Sequence, residues 1–347
     1  MNKKSIIIGS IVVLLVALSY LNVVPEKGAL YLMFNMILIV AGFYMLIKGA
    51  DIFVEGASKI ATKFNIPQMV IGLTIVAFGT SMPEAAVSIK AALSDNAGIT
   101  VGNVVGSNIM NILLILGVSA CIASLPIKKN TFAIEIPWVI FVTVVLLVMG
   151  VNGDVISFVD GIILCGLMAI FMIYLIKQAK NGESDDESTV LTEKDTMIKL
   201  IVFVVIGIVC IVIGSNVTVD AASYVAEKCG MSPRLIGLTI VAFGTSLPEL
   251  VTSATAAKRG KVDIAIGNIV GSNIFNILFV VGVSALITPV AFATEFIKDT
   301  VVAIAAAVLL FVCVMNKERK LTKLGGVIML VCYAAYFAYI LVANYAA

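Results

Sequence analysis

Residues 71–84 of this 347-residue chain read IGLTIVAFGTSMPE, and residues 236–249 read IGLTIVAFGTSLPE. The two copies differ at one position, where a methionine in the first copy is a leucine in the second. Each copy ends in a glutamate, Glu84 or Glu249, that directly follows a proline inside an apolar segment. A carboxylate within hydrocarbon is costly and usually functional. Two such glutamates at equivalent positions predict the two walls of one cation site.

The composition indicates that the chain folds in a lipid bilayer. Hydrophobic residues make up 61% of it and charged residues only 13%, whereas a soluble protein carries about 25% charged residues. The mean hydropathy is +1.13. Apolar runs of about 20 residues recur along the chain, and such runs can cross roughly 30 Å of hydrocarbon. The sequence therefore predicts an all-α polytopic membrane protein.

The same composition excludes several classes of ligand. The net charge of +2 is spread over short loops and gives no indication of nucleic-acid binding. The chain has no histidine, which excludes imidazole proton relays and histidine metal ligands. Its six cysteines are scattered without a C-x-x-C spacing, so we expect small buried residues rather than disulfides or a zinc site. No cofactor and no protein partner is indicated, and the expected partner is the lipid bilayer.

The hydropathy pattern divides the chain into an N-terminal segment and a core of ten spans. Two lysines precede an apolar run, so residues 1–22 are predicted to be a signal peptide or a signal-anchor helix. Residues 30–177 and 197–343 form the two halves of the core. Between them, residues 178–196 are interpreted as a solvated acidic linker, because they lack the spacing of an EF-hand loop. The predicted spans are 30–62, 67–93, 99–124, 132–150, 155–177, 197–228, 233–258, 263–287, 296–315 and 322–343.

The lysines and arginines of the short loops predict the orientation of these spans. With five spans in each half, the second half enters the membrane in the opposite direction to the first. We therefore predict two inverted five-helix repeats in a cell membrane, with the core termini extracellular and the linker cytoplasmic; this arrangement is typical of secondary transporters. The predicted cytoplasmic side holds Lys63, Lys128, Lys129, Lys177, Lys180, Lys258, Arg259, Lys261, Lys317, Arg319, Lys320 and Lys323, and the other side holds only Lys27, Lys90, Lys228, Arg234 and Lys298.

A second duplicated stretch lies at the same spacing along the chain. Residue 102 of its first copy corresponds to residue 267 of its second copy, just as residue 71 corresponds to residue 236. We call this constant displacement the repeat offset. Residues 102–120 read GNVVGSNIMNILLILGVSA, and residues 267–285 read GNIVGSNIFNILFVVGVSA. Two halves that merely share a fold would retain small and apolar residues, but not a glutamate and several asparagines within hydrocarbon. We therefore interpret the duplicated polar residues as parts of one site at the repeat interface.

The proline before each glutamate predicts a break in its helix, because proline lacks a backbone N–H and disfavours helix at the preceding residue. The break is expected to free carbonyl groups near Ala77 and Ala242, and Gly79 and Gly244 are expected to loosen the same turn. Oxygen donors with two carboxylates suit a hard cation such as Ca2+, and hydroxyls with carbonyls suit Na+. The hydroxyls available are those of Thr80, Ser81, Thr245 and Ser246.

In the second stretch, residues four apart share one helix face. Two such pairs are predicted to contact ions directly or through water: Ser107 with Asn111, and Ser272 with Asn276. Asn108 and Asn273 lie off that face, and we interpret them as interhelical contacts.

The paired motifs G-T-S-M-P-E with G-S-N-I-M-N, and G-T-S-L-P-E with G-S-N-I-F-N, resemble the two alpha repeats of the sodium/calcium exchanger family of cation/calcium antiporters. The resemblance covers the core from about residue 30. It implies a ten-helix, two-repeat transporter rather than an enzyme, in which sodium entry drives calcium extrusion by alternating access. It further implies that Glu84 and Glu249 bind calcium and that Asn111 and Asn276 complete the centre. The implied carbonyl donors are Ala77 and Ala242, and the implied sodium ligands are Thr80, Ser81, Ser107, Thr245, Ser246 and Ser272.

One position discriminates within that family. Potassium-dependent members, and some archaeal ones, resemble this chain but carry an aspartate where Asn276 stands. Two carboxylates neutralise one Ca2+, so the sequence predicts potassium-independent exchange. By the same analogy, spans 30–62 and 197–228 are expected to slide past a rigid bundle that holds the motifs.

Three alternatives stay open. A proton/calcium antiporter could use the same paired glutamates, although that branch resembles a G-N-x-x-E motif that this chain lacks. An intramembrane hydrolase could use them as acid and base, but those roles require unlike environments, and the duplication supplies like ones. A calcium channel would not require the inverted halves, which favour alternating access.

Overall fold

The computed structural model describes residues 3–20, 28–93, 98–181, 191–192, 195–231 and 242–345. Almost all of these residues are helical, as hydrocarbon requires, because a helix satisfies its backbone hydrogen bonds internally. The helices are α1 (Lys3–Tyr20), α2 (Ala29–Lys63), α3 (Gln68–Thr80), α4 (Met82–Leu93), α5 (Ile99–Ile122), α6 (Thr131–Val151), α7 (Phe158–Asn181), α8 (Met197–Lys228), α9 (Ala242–Thr245), α10 (Leu247–Lys258), α11 (Val262–Ile287), α12 (Thr294–Val314) and α13 (Lys323–Tyr345).

Within these described ranges, eight helices are long and apolar enough to cross a membrane, and α3 with α4 forms a further, bent candidate span. The predicted span 197–228 coincides with α8, and the other predicted spans agree to within a few residues. The predicted span 233–258 is described only from residue 242 onward, since residues 232–241 lie outside the described part. The prediction of a polytopic helical membrane protein is confirmed.

Four short strands link the loops of the two halves: β1 (Leu125–Pro126) pairs with β4 (Lys320–Leu321), and β2 (Val155–Ile156) pairs with β3 (Val290–Ala291). By the repeat offset, β3 is the counterpart of β1, and β4 is the counterpart of β2. Helix α6 runs from the β1 end of the bundle to the β2 end. Because β4 pairs with β1, it lies at the end opposite to its counterpart β2, as an inverted arrangement of the repeats would require.

Helices α2 and α8 pack along a ladder of glycines spaced seven residues apart. A Cβ added to Gly49 would lie 2.8 Å from Cβ of Cys210, and one added to Gly207 would lie 2.7 Å from Cβ of Phe53. A Cβ on Gly214 would lie 2.8 Å from the backbone oxygen of Gly42. Small residues at such positions let helix backbones approach closely. The two helices therefore form one tightly packed unit.

One residue of the acidic linker, Asp195, is buried, whereas Leu191, Thr192 and Thr196 are exposed. The interpretation of residues 178–196 as a solvated linker stays a prediction. Asp195 is only 4% exposed, and its carboxylate lies 3.0 Å from Nζ of Lys199 and 3.3 Å from Nζ of Lys59. Thr192 adds a backbone N–H donor at 3.0 Å. The Lys199 ammonium, followed by the Thr192 hydrogen bonds, holds the pKa of Asp195 below its ordinary value. Asp195 thus ties α2 to α8; residues 182–190 and 193–194 lie outside the described part.

Helix α1 packs on the same α2–α8 unit. Val12 and Val16 are buried in a cluster that includes Leu38 of α2 and Val217 of α8. A signal-anchor helix that is retained would pack in this way. That residues 1–22 are a signal peptide or a signal-anchor helix stays a prediction. The first two residues and residues 21–27 lie outside the described part.

Candidate cation site

The two glutamates lie just after breaks in their helices. Helices α3 and α4 meet at Ser81 with a bend of 51°, and α9 and α10 are separated by Ser246. Each proline occupies the first turn of the second helix, where its missing N–H is tolerated. Glu84 and Glu249 also lie in that first turn, so the partial positive charge of the helix N-terminus faces carboxylates.

The carbonyls that lose their donor at the breaks lie two residues after Ala77 and Ala242. Proline removes the donor for the carbonyl four residues earlier, which is Gly79 in the first half and Gly244 in the second. The Ser215 hydroxyl of α8 donates to the Gly244 oxygen at 2.7 Å. The Ala77 oxygen accepts the Ser81 N–H at 3.0 Å, so the expectation that the break frees this carbonyl is wrong here.

Gly79 and Gly244 allow close packing against α8. A Cβ on Gly79 would lie 2.8 Å from Cδ1 of Ile208, and a Cβ on Gly244 would clash with the side chain of Val219. Both neighbours belong to α8. The α2–α8 unit therefore rests directly on the two helix breaks.

The glutamates are buried, and each accepts a hydrogen bond from the opposite half. Glu84 is 1% exposed and Glu249 is 0% exposed. The Ser81 hydroxyl donates to Oε1 of Glu249 at 2.8 Å, and the Ser246 hydroxyl donates to Oε1 of Glu84 at 3.3 Å. Ser246 stands at the N-cap of α10 without capping it through its side chain. Across the described residues, no lysine or arginine forms an ion pair with either glutamate.

Four asparagines form a second reciprocal network at the centre. Asn111 donates from Nδ2 to Oδ1 of Asn273 at 2.9 Å, and Asn276 donates to Oδ1 of Asn108 at 3.2 Å. Asn108 and Asn273 also donate to each other's backbone oxygens, at 3.1 and 3.4 Å. These two residues make the interhelical contacts that the sequence predicts. The amide nitrogens of Asn111 and Asn276 are thereby fixed on α11 and α5, and their oxygens remain available.

Helix geometry changes at these asparagines. Asn111 begins a π-helical segment of α5, Asn111–Leu116, and Asn276 begins the equivalent segment of α11, Asn276–Val281. A third such segment, Gly72–Val76, precedes the break in α3. π-Helical turns are frequent at functional sites because they redirect side chains and backbone groups.

The unpaired atoms of the centre are all oxygens. Five buried oxygen atoms have no hydrogen-bond partner among the described residues: Oε2 of Glu84, Oε2 of Glu249, Oδ1 of Asn111, Oδ1 of Asn276 and Oγ of Ser272. Leaving a buried acceptor without a donor costs about 1–3 kcal/mol, and more for a charged group. Acceptors that lack donors, with two carboxylates among them, make a set of ligands for a hard cation.

The other predicted ligands are placed as follows. The Ser107 hydroxyl lies 3.4 Å from that of Ser246 and so joins the centre. The Thr80 hydroxyl lies 2.9 Å from Oδ1 of Asn268 and 3.1 Å from the Val76 oxygen, and it also lies beside the Glu249 carboxylate. Thr245 is partly buried. Ala242 begins α9, and its side chain lies outside the described part.

Two supporting pairs were missed from the sequence. Asn103 donates to the Glu84 backbone oxygen at 3.2 Å and to the Ser88 hydroxyl at 2.9 Å. Asn268 does the same with the Glu249 oxygen at 3.5 Å and the Ser253 hydroxyl at 2.9 Å. These pairs fix the glutamate-bearing helices against α5 and α11. The sequence did contain a signal for these pairs, because the repeat offset relates Ser88 to Ser253.

The family model described as sodium/calcium exchanger protein matches this chain twice, over residues 34–177 and 199–342. The starts of the two matches, at residues 34 and 199, are themselves related by the repeat offset. The chain belongs to the sodium/calcium exchanger family. The predicted resemblance is confirmed, and cation/Ca2+ antiport is the activity that the family supports.

Known relatives align with this chain over most of their length. It is 31% identical over 339 residues to the sodium/calcium exchanger MaX1 of Methanosarcina acetivorans, covering 87% of this chain and 97% of that protein. It is 36% identical over 259 residues to the inner membrane protein YrbG of Escherichia coli, covering 73% and 79%. A solved structure of the sodium-calcium exchanger NCX_Mj superposes with a TM-score of 0.77 at 33% identity, covering 88% and 99%.

Proposed function

We propose that this exchanger couples the movement of Na+ to that of Ca2+ across the cell membrane by alternating access, without K+. The observation that carries the proposal is the set of five buried, unpartnered oxygen atoms, which includes one oxygen of each glutamate. Two carboxylates balance the charge of one Ca2+. The hydroxyls of Ser81 and Ser246 can turn from the opposite glutamate toward a bound cation, so Na+ and Ca2+ compete for shared ligands.

Sodium as the coupling ion is supported by the relatives MaX1 and NCX_Mj, both named as sodium/calcium exchangers. Independence from potassium is supported by Asn276, which adds no third carboxylate to the centre. The proposed orientation places the core termini outside and the linker in the cytoplasm, from the lysines and arginines of the loops.

The proposed moving part is the α2–α8 unit. Its glycine ladder and the Asp195 ion pairs hold the two helices together, and its side chains rest on Gly79 and Gly244. At the predicted cytoplasmic end, Arg259, which directly follows α10, lies 2.9 Å from Asp51 of α2. That ion pair would have to break whenever the unit slides away from α10.

The test is Ca2+ uptake into proteoliposomes loaded with Na+, after dilution into Na+-free medium. We expect uptake in the native protein, with and without K+ on both sides, and its loss in Glu84→Gln and Glu249→Gln. Asp299→Asn is the matched control, since that half-buried carboxylate is bound by Tyr336 at 2.9 Å, away from the centre. A proton gradient that drives uptake without Na+ would instead establish proton/calcium antiport. Na+-driven uptake that persists in both glutamine variants would refute the site.

A further inference from the structure

A second buried polar cluster lies outside the duplicated centre, between the beginning of α6 and the end of α7. Glu135 is 0% exposed, and Oε1 of its carboxylate accepts the Tyr174 hydroxyl at 2.7 Å. Thr131 and Gln178 lie beside the same carboxylate. Thr131, Glu135 and Trp138 project from α6, whereas Tyr174 and Gln178, four residues apart, project from α7. The cluster therefore joins two helices that carry none of the proposed exchange ligands.

This cluster has unpaired oxygens and, among the described residues, no ion-paired lysine or arginine. Oε2 of Glu135, Oγ1 of Thr131 and Oε1 of Gln178 are buried without a hydrogen-bond partner among the described residues. No lysine or arginine in the described ranges forms an ion pair with Glu135. A second carboxylate, that of Asp263, lies in the neighbourhood of Glu135 and is itself bound by Lys128 at 2.8 Å. A buried carboxylate normally requires a compensating partner.

The ligand set fits a monovalent cation. One carboxylate balances one positive charge, and hydroxyl and amide oxygens complete an all-oxygen shell of the kind that hard cations prefer. A divalent ion would call for more acidic groups, and no cluster of three or more Asp, Glu, His or Cys suited to a metal occurs in the described residues.

The cluster is not a copy of the central site. By the repeat offset, Glu135 corresponds to Thr300, Thr131 to Phe296, and Trp138 to Ala303. Asp263, the neighbouring carboxylate, is the second residue of α11 and precedes Ser272 by nine residues, so it lies roughly 13 Å along that helix from the central ligands. We propose that Glu135, Thr131, Tyr174 and Gln178 bind a monovalent alkali cation between α6 and α7. This site is independent of the exchange function proposed above.

The single tryptophan of the chain provides a local probe. Trp138 lies three residues after Glu135 on α6, and its Nε1 has no partner among the described residues. Its fluorescence would be recorded in purified protein while NaCl, and separately KCl, replaces choline chloride at constant ionic strength. The melting temperature would be measured across the same titrations. We expect a saturable change in at least one readout, and we expect it to persist in Glu84→Gln/Glu249→Gln, where the central site is neutralised.

Glu135→Gln keeps the size of the side chain and the oxygen that accepts from Tyr174. We expect this variant to raise the half-saturating salt concentration about 10-fold or more. Thr131→Val, which keeps the charge, is expected to have a smaller effect in the same direction, and Asp299→Asn is expected to have none. The proposal is overturned if neither salt produces a response in either readout, which would mean that the cluster holds only water. It is also overturned if Glu135→Gln responds like the native protein, or if the response disappears in Glu84→Gln/Glu249→Gln.

Discussion

Asn273 offers the most direct test of how the centre is organised, because it orients Asn111, a proposed ligand, and is not itself a proposed ligand. Its Oδ1 accepts a hydrogen bond from Nδ2 of Asn111 at 2.9 Å, and Oδ1 of Asn111 has no partner among the described residues. Asn273→Ala removes that acceptor. Asn111 must then either leave its buried amide N–H unsatisfied or rotate and present nitrogen to the cation. Both outcomes weaken cation binding.

The structure sets the size of the effect. An unsatisfied buried donor costs about 1–3 kcal/mol, and each 1.4 kcal/mol corresponds to tenfold in affinity. We therefore expect Asn273→Ala to weaken Ca2+ binding about 5- to 150-fold. Asn108→Ala removes the equivalent acceptor for Asn276, whose contact is longer at 3.2 Å. Its effect is expected to be equal or smaller.

The assay is isothermal titration of purified exchanger with Ca2+, accompanied by a melting curve to confirm folding. Asn35→Ala is the matched control: this amide is also buried and donates to the Tyr31 oxygen at 2.8 Å, on α2 and apart from the centre. A folded Asn273→Ala protein that binds Ca2+ within about twofold of the native protein would refute the reasoning. So would an equal loss in Asn35→Ala.

Three further predictions concern charge, packing and pH. Asn276→Asp adds a third carboxylate, so Ca2+ uptake into proteoliposomes should come to depend on an additional monovalent cation; uptake that remains indifferent to K+ would contradict this. Gly244→Ala places a methyl group against Val219, which should cost about 1–3 kcal/mol of stability, and Val219→Ala in the same chain should restore the melting temperature; no restoration would place the clash elsewhere. Asp195→Asn should lower the melting temperature. Because the folded pKa of Asp195 is depressed, this deficit should be constant above the ordinary aspartate pKa of about 3.9 and shrink only as the pH falls below it; a deficit that disappears between pH 7 and 5 would contradict the assignment.

The spans could be predicted from sequence because hydropathy is a local pattern, and a second local pattern, the duplication, identifies the two candidate glutamates. Hydropathy delimits α8 to the residue, and the duplication singles out Glu84 and Glu249. What could not be predicted is which atoms meet across the interface. That Ser81 reaches Glu249, rather than the glutamate three residues later in its own chain segment, depends on how the two halves pack. The same is true of Asn268, whose partners are set by α10 rather than by its neighbours in sequence.

The wrong expectation about Ala77 has a different cause, because it did not depend on packing. The N–H that Pro83 lacks would have bonded the carbonyl four residues earlier, which is that of Gly79 and not that of Ala77. The Ala77 carbonyl instead keeps a donor in the Ser81 N–H. The burial of Asp195 was missed because a run of acidic residues in a linker is usually solvated, and only the packing of α2 against α8 brings Lys59 to it.

The crossed pairs Ser81–Glu249 and Ser246–Glu84 suggest why such a centre would exchange rather than leak. Each hydroxyl comes from the break of one half and ends on the carboxylate of the other, so the two halves share the stabilisation of both charges. A single hydroxyl donor cannot replace a cation for a buried carboxylate, and the second oxygen of each glutamate stays unpaired. Moving the α2–α8 unit across an empty centre would carry two uncompensated charges through a closed state, whereas one Ca2+ or several Na+ would cancel them. The cost of the empty transition, rather than any mechanical link between ions, would then couple the two fluxes.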